Sequence, residues 1–144
     1  MPNKTLDHQS AAMKLCFDST EGGLSGRVYS QRLAQPMAFR HASALLLQLD
    51  ALMDEQRFPM AYQRIRTFTR EKPEYPQGGA PEDAMSAQAV AQAKGERATA
   101  LLRVITRQNA TWQGDVDFLD GAGPIAFSSD LEFLKLLEAR VPAL

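Results

Sequence analysis

Four short stretches of the chain read as strands. They are MKLCF (13–17), LSGRVYS (24–30), TALLRVITR (99–107) and WQGDVDFL (112–119). In the last, Trp112, Gly114, Val116 and Phe118 share one face, with Gln113, Asp115 and Asp117 on the other. A period of two predicts half-buried strands. Two further stretches follow a period near 3.6. Ala42, Leu45, Leu46, Leu49, Leu52 and Met53 form one stripe, and Leu131, Leu134, Leu137 and Val141 a second, widened by Phe133 and Leu136. Both predict amphipathic helices. Ser129 and Glu132 have the spacing of a capping box at the start of the second, and Pro142 stops it.

The elements recur in one order. At an offset of 88 residues Gly26 falls on Gly114, Val28 on Val116, Pro36 on Pro124, Phe39 on Phe127 and Leu49 on Leu137. Each half reads strand, strand, turn, short strand ending in phenylalanine, helix. The turns are AQP and DGAGP, and proline suits the first residue of the short strand. The predicted fold is α+β: two tandem β-β-β-α units, 12–56 and 96–142, packed about a pseudo-two-fold axis as one domain spanning 1–144. Its antiparallel sheet carries the helices on one side, because a unit this small does not cover its own core. A domain-swapped dimer is the rival arrangement. In the connection, 57–95, FPMAYQRIRTFTR suggests a helix or 3₁₀ turn after Pro59. EKPEYPQGGAPEDA reads as an exposed loop, and MSAQAVAQAKGE as a surface helix ending at Gly95.

Composition narrows the classes. The 144 residues carry a net charge of -1, which gives no overall attraction to nucleic acid or an anionic membrane. A single cysteine, Cys16, staples nothing and suits a reducing cytoplasm, where it reads as a small core residue. The first residues lack a basic start followed by an apolar run, so no signal peptide is expected, and no apolar stretch is long enough for a membrane span.

Chemistry concentrates in RVITRQNATWQG, 103–114. Arg103 and Arg107, four apart in a strand, are expected on one face, and guanidinium forks bind phosphate or carboxylate bidentately. Asn109, Trp112 and Gln113 complete the candidate ligand site. The competing reading is structural: a register that places Arg103 near Asp115 and Asp117 gives it carboxylate partners and makes Trp112 a core anchor. The segment RQNATWQGDVDFLDG…PIAFSSDLEFLKL resembles a family of small bacterial proteins of unknown function, found mostly in Firmicutes. The likeness is carried by Arg107, Gln108, Asn109, Trp112, Gln113, Gly114, Phe127, Ser129, Leu131 and Glu132, with Thr111 for the family's serine and Ser128 for its arginine. It implies no activity. Arg103-x-x-x-Arg107 with Asn109-x-Thr111-x-x-Gly114, and Arg66-x-x-x-Arg70, also resemble the motifs of PilZ domains, which implies a sensor of an anionic nucleotide.

Other motifs read as structure. DVDFLDG spaces its carboxylates wrongly for a calcium loop and fits a strand face ending in a turn. Arg64, Arg66 and Arg70, with Tyr62 and Phe68, make a basic segment that single-stranded nucleic acid fits. His8 falls in a terminus expected to fray, and His41 at a helix start. With no acid–base pair, phosphate loop or metal-spaced cluster, neither an enzyme nor a cofactor is expected. The leading expectation is a non-catalytic cytoplasmic binding or adaptor module with a protein partner, no membrane, and a homodimer as an option. The alternatives are a nucleotide sensor and a nucleic-acid binder.

Overall fold

The computed structural model describes residues 3–62 and 77–144. Among the described residues the strands are β1 (Met13–Ser19), β2 (Ser25–Ser30), β3 (Met37–Phe39), β4 (Ala61–Tyr62), β5 (Ala98–Gln108), β6 (Gln113–Asp117) and β7 (Pro124–Phe127). Three helices are α1 (Ala42–Gln56), α2 (Ala87–Gln92) and α3 (Asp130–Arg140), the last running into a 3₁₀ turn at Val141–Ala143. Six strands form an antiparallel sheet in the order β3-β2-β1-β5-β6-β7, and the two residues of β4 run parallel to the end of β5. The front and back parts of the chain therefore meet in one sheet, through β1 and β5.

Alternation sorts the side chains. Met13, Leu15 and Phe17 of β1, Val28 of β2, Leu102 and Val104 of β5 and Val116 of β6 belong to a core closed by Leu45, Leu49 and Met53 of α1 and Phe133, Leu137 and Val141 at α3. Lys14, Cys16 and Arg27 point the other way. There the stretch around α2 lies against the sheet: Lys14 Nζ donates to Ala91 O, Arg27 Nη2 to Lys94 O, and Glu96 N–H to Asp18. So α1 and α3 share one side, but α2 takes the other, which corrects the expectation of helices on one side only. Cys16 is buried there, and burial pushes its thiol up from the ordinary range.

The two outer hairpins pair in the same register, 88 residues apart. Gly26 faces Phe39, Arg27 faces Ala38 and Val28 faces Met37; Gly114 faces Phe127, Asp115 faces Ala126 and Val116 faces Ile125. Each glycine also lies beside a bulge in its other neighbour. Register shifts after Phe17, which faces Gly26, and after Val104, which faces Gly114. No β-carbon fits at either glycine: it would lie 1.8 Å from the Cys16 carbonyl oxygen or 1.9 Å from that of Arg103.

Helix α3 starts as its sequence indicates. The Ser129 hydroxyl accepts from Glu132 N–H at 3.0 Å. The Glu132 carboxylate reaches back one residue further than in a standard capping box, to Ser128 N–H at 2.6 Å. Ser129→Ala is expected to lower stability by ~1 kcal/mol, read as a lower urea midpoint at unchanged slope. The stripe is rotated from its predicted centre. Phe133 and Leu137 are buried, whereas Leu131 is 56% exposed, because Phe133 packs against Trp112 and Phe127 and turns Leu131 outward.

Elsewhere, long-range contacts overrule local expectation. The terminus is anchored: Lys4 and Ala80 exchange backbone hydrogen bonds, and Leu6 and Ala11 form a small second core with Ala80 and Ala84. The His8 ring packs on Phe58 at 5.2 Å. The same contacts bury Ala80 and Ala84 within the predicted exposed loop. Ala61 and Tyr62 are strand, not helix, because they pair with Arg107 and Gln108. Helix α2 is present, capped by Ser86, and ends at Gln92. No helix among the described residues is long and apolar enough to cross a membrane.

Candidate functional site

The candidate ligand residues are separated by the bulge in β5. Ile105 has no partner in β6, since Val104 faces Gly114 and Thr106 faces Gln113. One extra residue reverses the alternation beyond it. Arg103 and Arg107, expected on one face, therefore lie on opposite faces.

Arg103 stays on the outer face and binds Asp115 bidentately, Nε to Oδ1 at 2.9 Å and Nη2 to Oδ2 at 2.8 Å. That hydrogen-bonded carboxylate raises the guanidinium further above its ordinary range. The pair is partly exposed, so its worth to stability is small. Arg107 turns inward and is 4% exposed. Its Nε donates to the Pro59 carbonyl at 2.7 Å and its Nη1 to Asp54 at 2.6 Å, with Asp50 at 3.6 Å. Asp50 also accepts from the indole N–H of Trp112 at 3.0 Å. Asp50 and Asp54, one turn apart on α1, thus lock the helix to the end of β5. Trp112 is a core anchor with one polar tether, and Arg107 the charged end of the same clamp.

Gln113 is consumed by its own turn. Its Oε1 accepts from Thr106 Oγ1 and Gln108 N–H, and its Nε2 donates to the Gln108, Thr111 and Ser128 carbonyls. Thr111 Oγ1 accepts from Asp130 N–H, which ties the turn to the start of α3. Asn109 and Ala110 close the turn with φ of 57° and 58°. Asn109 is exposed and is the candidate that remains on the surface. The arrangement brings Arg107 and Trp112 together over α1 and leaves Arg103 and Asn109 elsewhere. Arg64, Arg66, Phe68 and Arg70 lie outside the described residues.

The DVDFLDG carboxylates are also spent separately. Asp117 accepts from Leu119 N–H, and Asp120 from Ala122 N–H and Arg140. Among the described residues no group of three His, Cys, Asp or Glu side chains is placed to hold a metal ion. His41 occupies the N-cap of α1 with no side-chain capping bond.

One buried cation escaped the reading of the sequence. Arg32, in the turn after β2, is 1% exposed. Its Nε donates to the Ala11 carbonyl at 2.8 Å, and its Nη1 to the Phe58 carbonyl at 2.7 Å and to Gln56 Oε1 at 3.2 Å. Gln56 Nε2 donates back to the Arg32 carbonyl at 2.8 Å, and Arg32 Nη2 has no partner among the described residues. Burial, with the nearby charge of Arg107, pushes this guanidinium down to about 10. Nothing local in SQRLAQP distinguishes it from a surface arginine.

The rim of the sheet differs between its two edges. At β3, Gln48 of α1 donates to the outward carbonyl of Ala38 at 3.1 Å. The residue 88 positions later is Leu136, which donates nothing. There, between β7 and α3, an open cleft of about 290 Å³ is lined by Ala126, Glu132, Lys135 and Leu136.

Comparison with protein-family models, curated proteins and solved structures finds no match to this chain.

Proposed function

We propose that the protein is a non-catalytic binding or adaptor module acting in the cytoplasm, built from a duplicated β-β-β-α unit, which engages a protein through the edge strand β7 and the adjoining face of α3. The duplication is supported by the shared offset of hairpin registers, of the glycines beside the two bulges, and of the helix N-caps His41 and Ser129. Against that background the two edges can be compared position by position.

A single observation carries the functional reading. The outward Ala38 carbonyl of β3 accepts from the Gln48 amide, whereas among the described residues the Ala126 carbonyl of β7 has no such donor and borders a cleft lined by Leu136. Unpaired strand edges invite another strand, and proteins ordinarily cover them. The arginines and tryptophan of the candidate ligand site are engaged within the chain, whereas the outward backbone groups of Ala126 at the β7 edge have no partner among the described residues.

The test uses Leu136→Gln, which places at β7 the amide that caps the Ala38 carbonyl at β3. Immobilised wild-type protein is expected to retain a protein partner from native lysate, whether another copy or a different chain, and Leu136→Gln to release it. A partner held equally by both chains places the contact elsewhere.

A further inference from the structure

We infer that the occupant of the β7 edge is a second copy of this chain, paired β7 to β7 about a two-fold axis; this rests on the binding site proposed above and names its partner. The argument begins with the direction of the backbone groups. In antiparallel pairs, residues alternate between those that bond across the pair and those that point away. The Ala38 carbonyl accepts from Gln48, so Ala38, opposite Arg27, points away from β2. Ala126, opposite Asp115, holds the same place in the other hairpin, so its N–H and C=O point out from β7.

What lies on either side of Ala126 limits the choice of partner. Pro124 has no N–H, and Ser128 N–H is taken by the Glu132 carboxylate. The edge therefore offers one outward donor at one residue, with the acceptor of the same residue beside it. A long foreign strand would find few bonds there. A second Ala126, turned by a two-fold axis, supplies one acceptor and one donor in matching positions, and both groups on both chains are satisfied.

The side chains of the cleft repeat that logic. Leu136 floors it, and Glu132 and Lys135 stand less than a turn apart on α3. A dyad through Ala126 reverses the direction of the second α3, so each Glu132 faces the other chain's Lys135 and the two leucines meet beneath. The donor and acceptor of Ala126, one acid, one base and one apolar patch form a self-complementary set, which is what an isologous interface requires. The hydrogen bonds from Ser128 N–H and Oγ hold the Glu132 carboxylate below the usual range, so it is charged at neutral pH.

Sedimentation equilibrium of the purified chain across a dilution series tests this. The expected result is twice the chain mass at the concentrated end, falling toward one chain mass on dilution. Leu136→Gln and, separately, Lys135→Glu, which sets like charges opposite each other, are both expected to sediment as monomers with unchanged circular dichroism. Because Lys135 is exposed, its substitution reads the interface even where Leu136→Gln perturbs the core. Gln48→Leu, at the other edge, should leave the mass of the dimer unchanged. A chain that is monomeric at every concentration, or a dimer that survives Lys135→Glu, overturns the inference. A monomer that nevertheless retains a different lysate protein, released by Leu136→Gln, overturns it while sparing the broader binding reading.

Discussion

Arg32→Ala is expected to lower stability by about 3 kcal/mol or more, since each buried polar group left without a partner costs about 1–3 kcal/mol. Three acceptors depend on this side chain: the Ala11 and Phe58 carbonyls and Gln56 Oε1. They belong to the N-terminal arm, the segment following α1, and the last residue of α1. The bonds therefore tie together pieces of chain that otherwise meet where His8, Leu6 and Ala11 pack near Phe58. Burial without a facing carboxylate already disfavours the charge, as the lowered guanidinium records. Removing the charge relieves that penalty, but the stranded carbonyls outweigh it, because an alanine leaves a dry gap where the fork stood. Arg32→Lys is not expected to rescue the loss. A lysine offers one ammonium at one point, and the acceptors are reached here by Nε and Nη1 of a rigid plane. Urea unfolding measures both, and an unchanged midpoint for Arg32→Ala would show that the three elements are held by other contacts. Proteolysis near the N-terminus should accelerate in the same variant, since the arm loses its Ala11 tether.

The fate of Arg32 shows which features were readable from the sequence. Elements with a regular period, such as the stretch 112–118 around β6 with Val116 and Phe118 inside and Asp115 and Asp117 outside, follow from alternation alone. The pairing of Arg103 with Asp115 followed from parity in the same way. Features set by one residue or by distant contacts did not. The bulge at Ile105 sends Arg107 inward, and the sequence carries no clear trace of it, since apolar Leu101 and Ile105 share the odd positions with Arg103 and Arg107 while Ala100, Leu102 and Val104 take the even ones. The small core of Leu6, Ala11, Ala80 and Ala84 joins residues about seventy positions apart, none within a periodic stretch. In α3, six apolar residues allow more than one stripe. Packing on Trp112 and Phe127 chose Phe133 over Leu131. The candidate ligand residues lie together in the sequence and apart in the fold. The same polar chemistry that suggested a ligand, forks and amides near a turn, is used to hold the chain to itself.

Gly114→Ala is the second large effect, expected at about 3 kcal/mol or more, the upper end of what forcing extra atoms into a packed interior costs. The β-carbon would stand 1.9 Å from the Arg103 carbonyl oxygen and 3.0 Å from Val104 Cα, so backbone must move. The backbone in question is the strand just before the bulge. Shifting it disturbs the step that sends Arg107 to the inner face, and with it the bonds to Asp54 and Pro59. The comparison that isolates this cause is Gly121→Ala. Gly121 has φ of +90° and open space around its missing side chain, so only backbone preference opposes alanine there. That preference amounts to about 1–2 kcal/mol. Gly26→Ala, with 1.8 Å to the Cys16 carbonyl oxygen beside the other bulge, should match Gly114→Ala in size. Thermal unfolding of the three variants should place Gly26→Ala and Gly114→Ala together, well below Gly121→Ala. If Gly114→Ala were as mild as Gly121→Ala, the close approach of β5 to β6 would not be what requires glycine. The bulge would then need another cause, and Arg107 another reason to face the core.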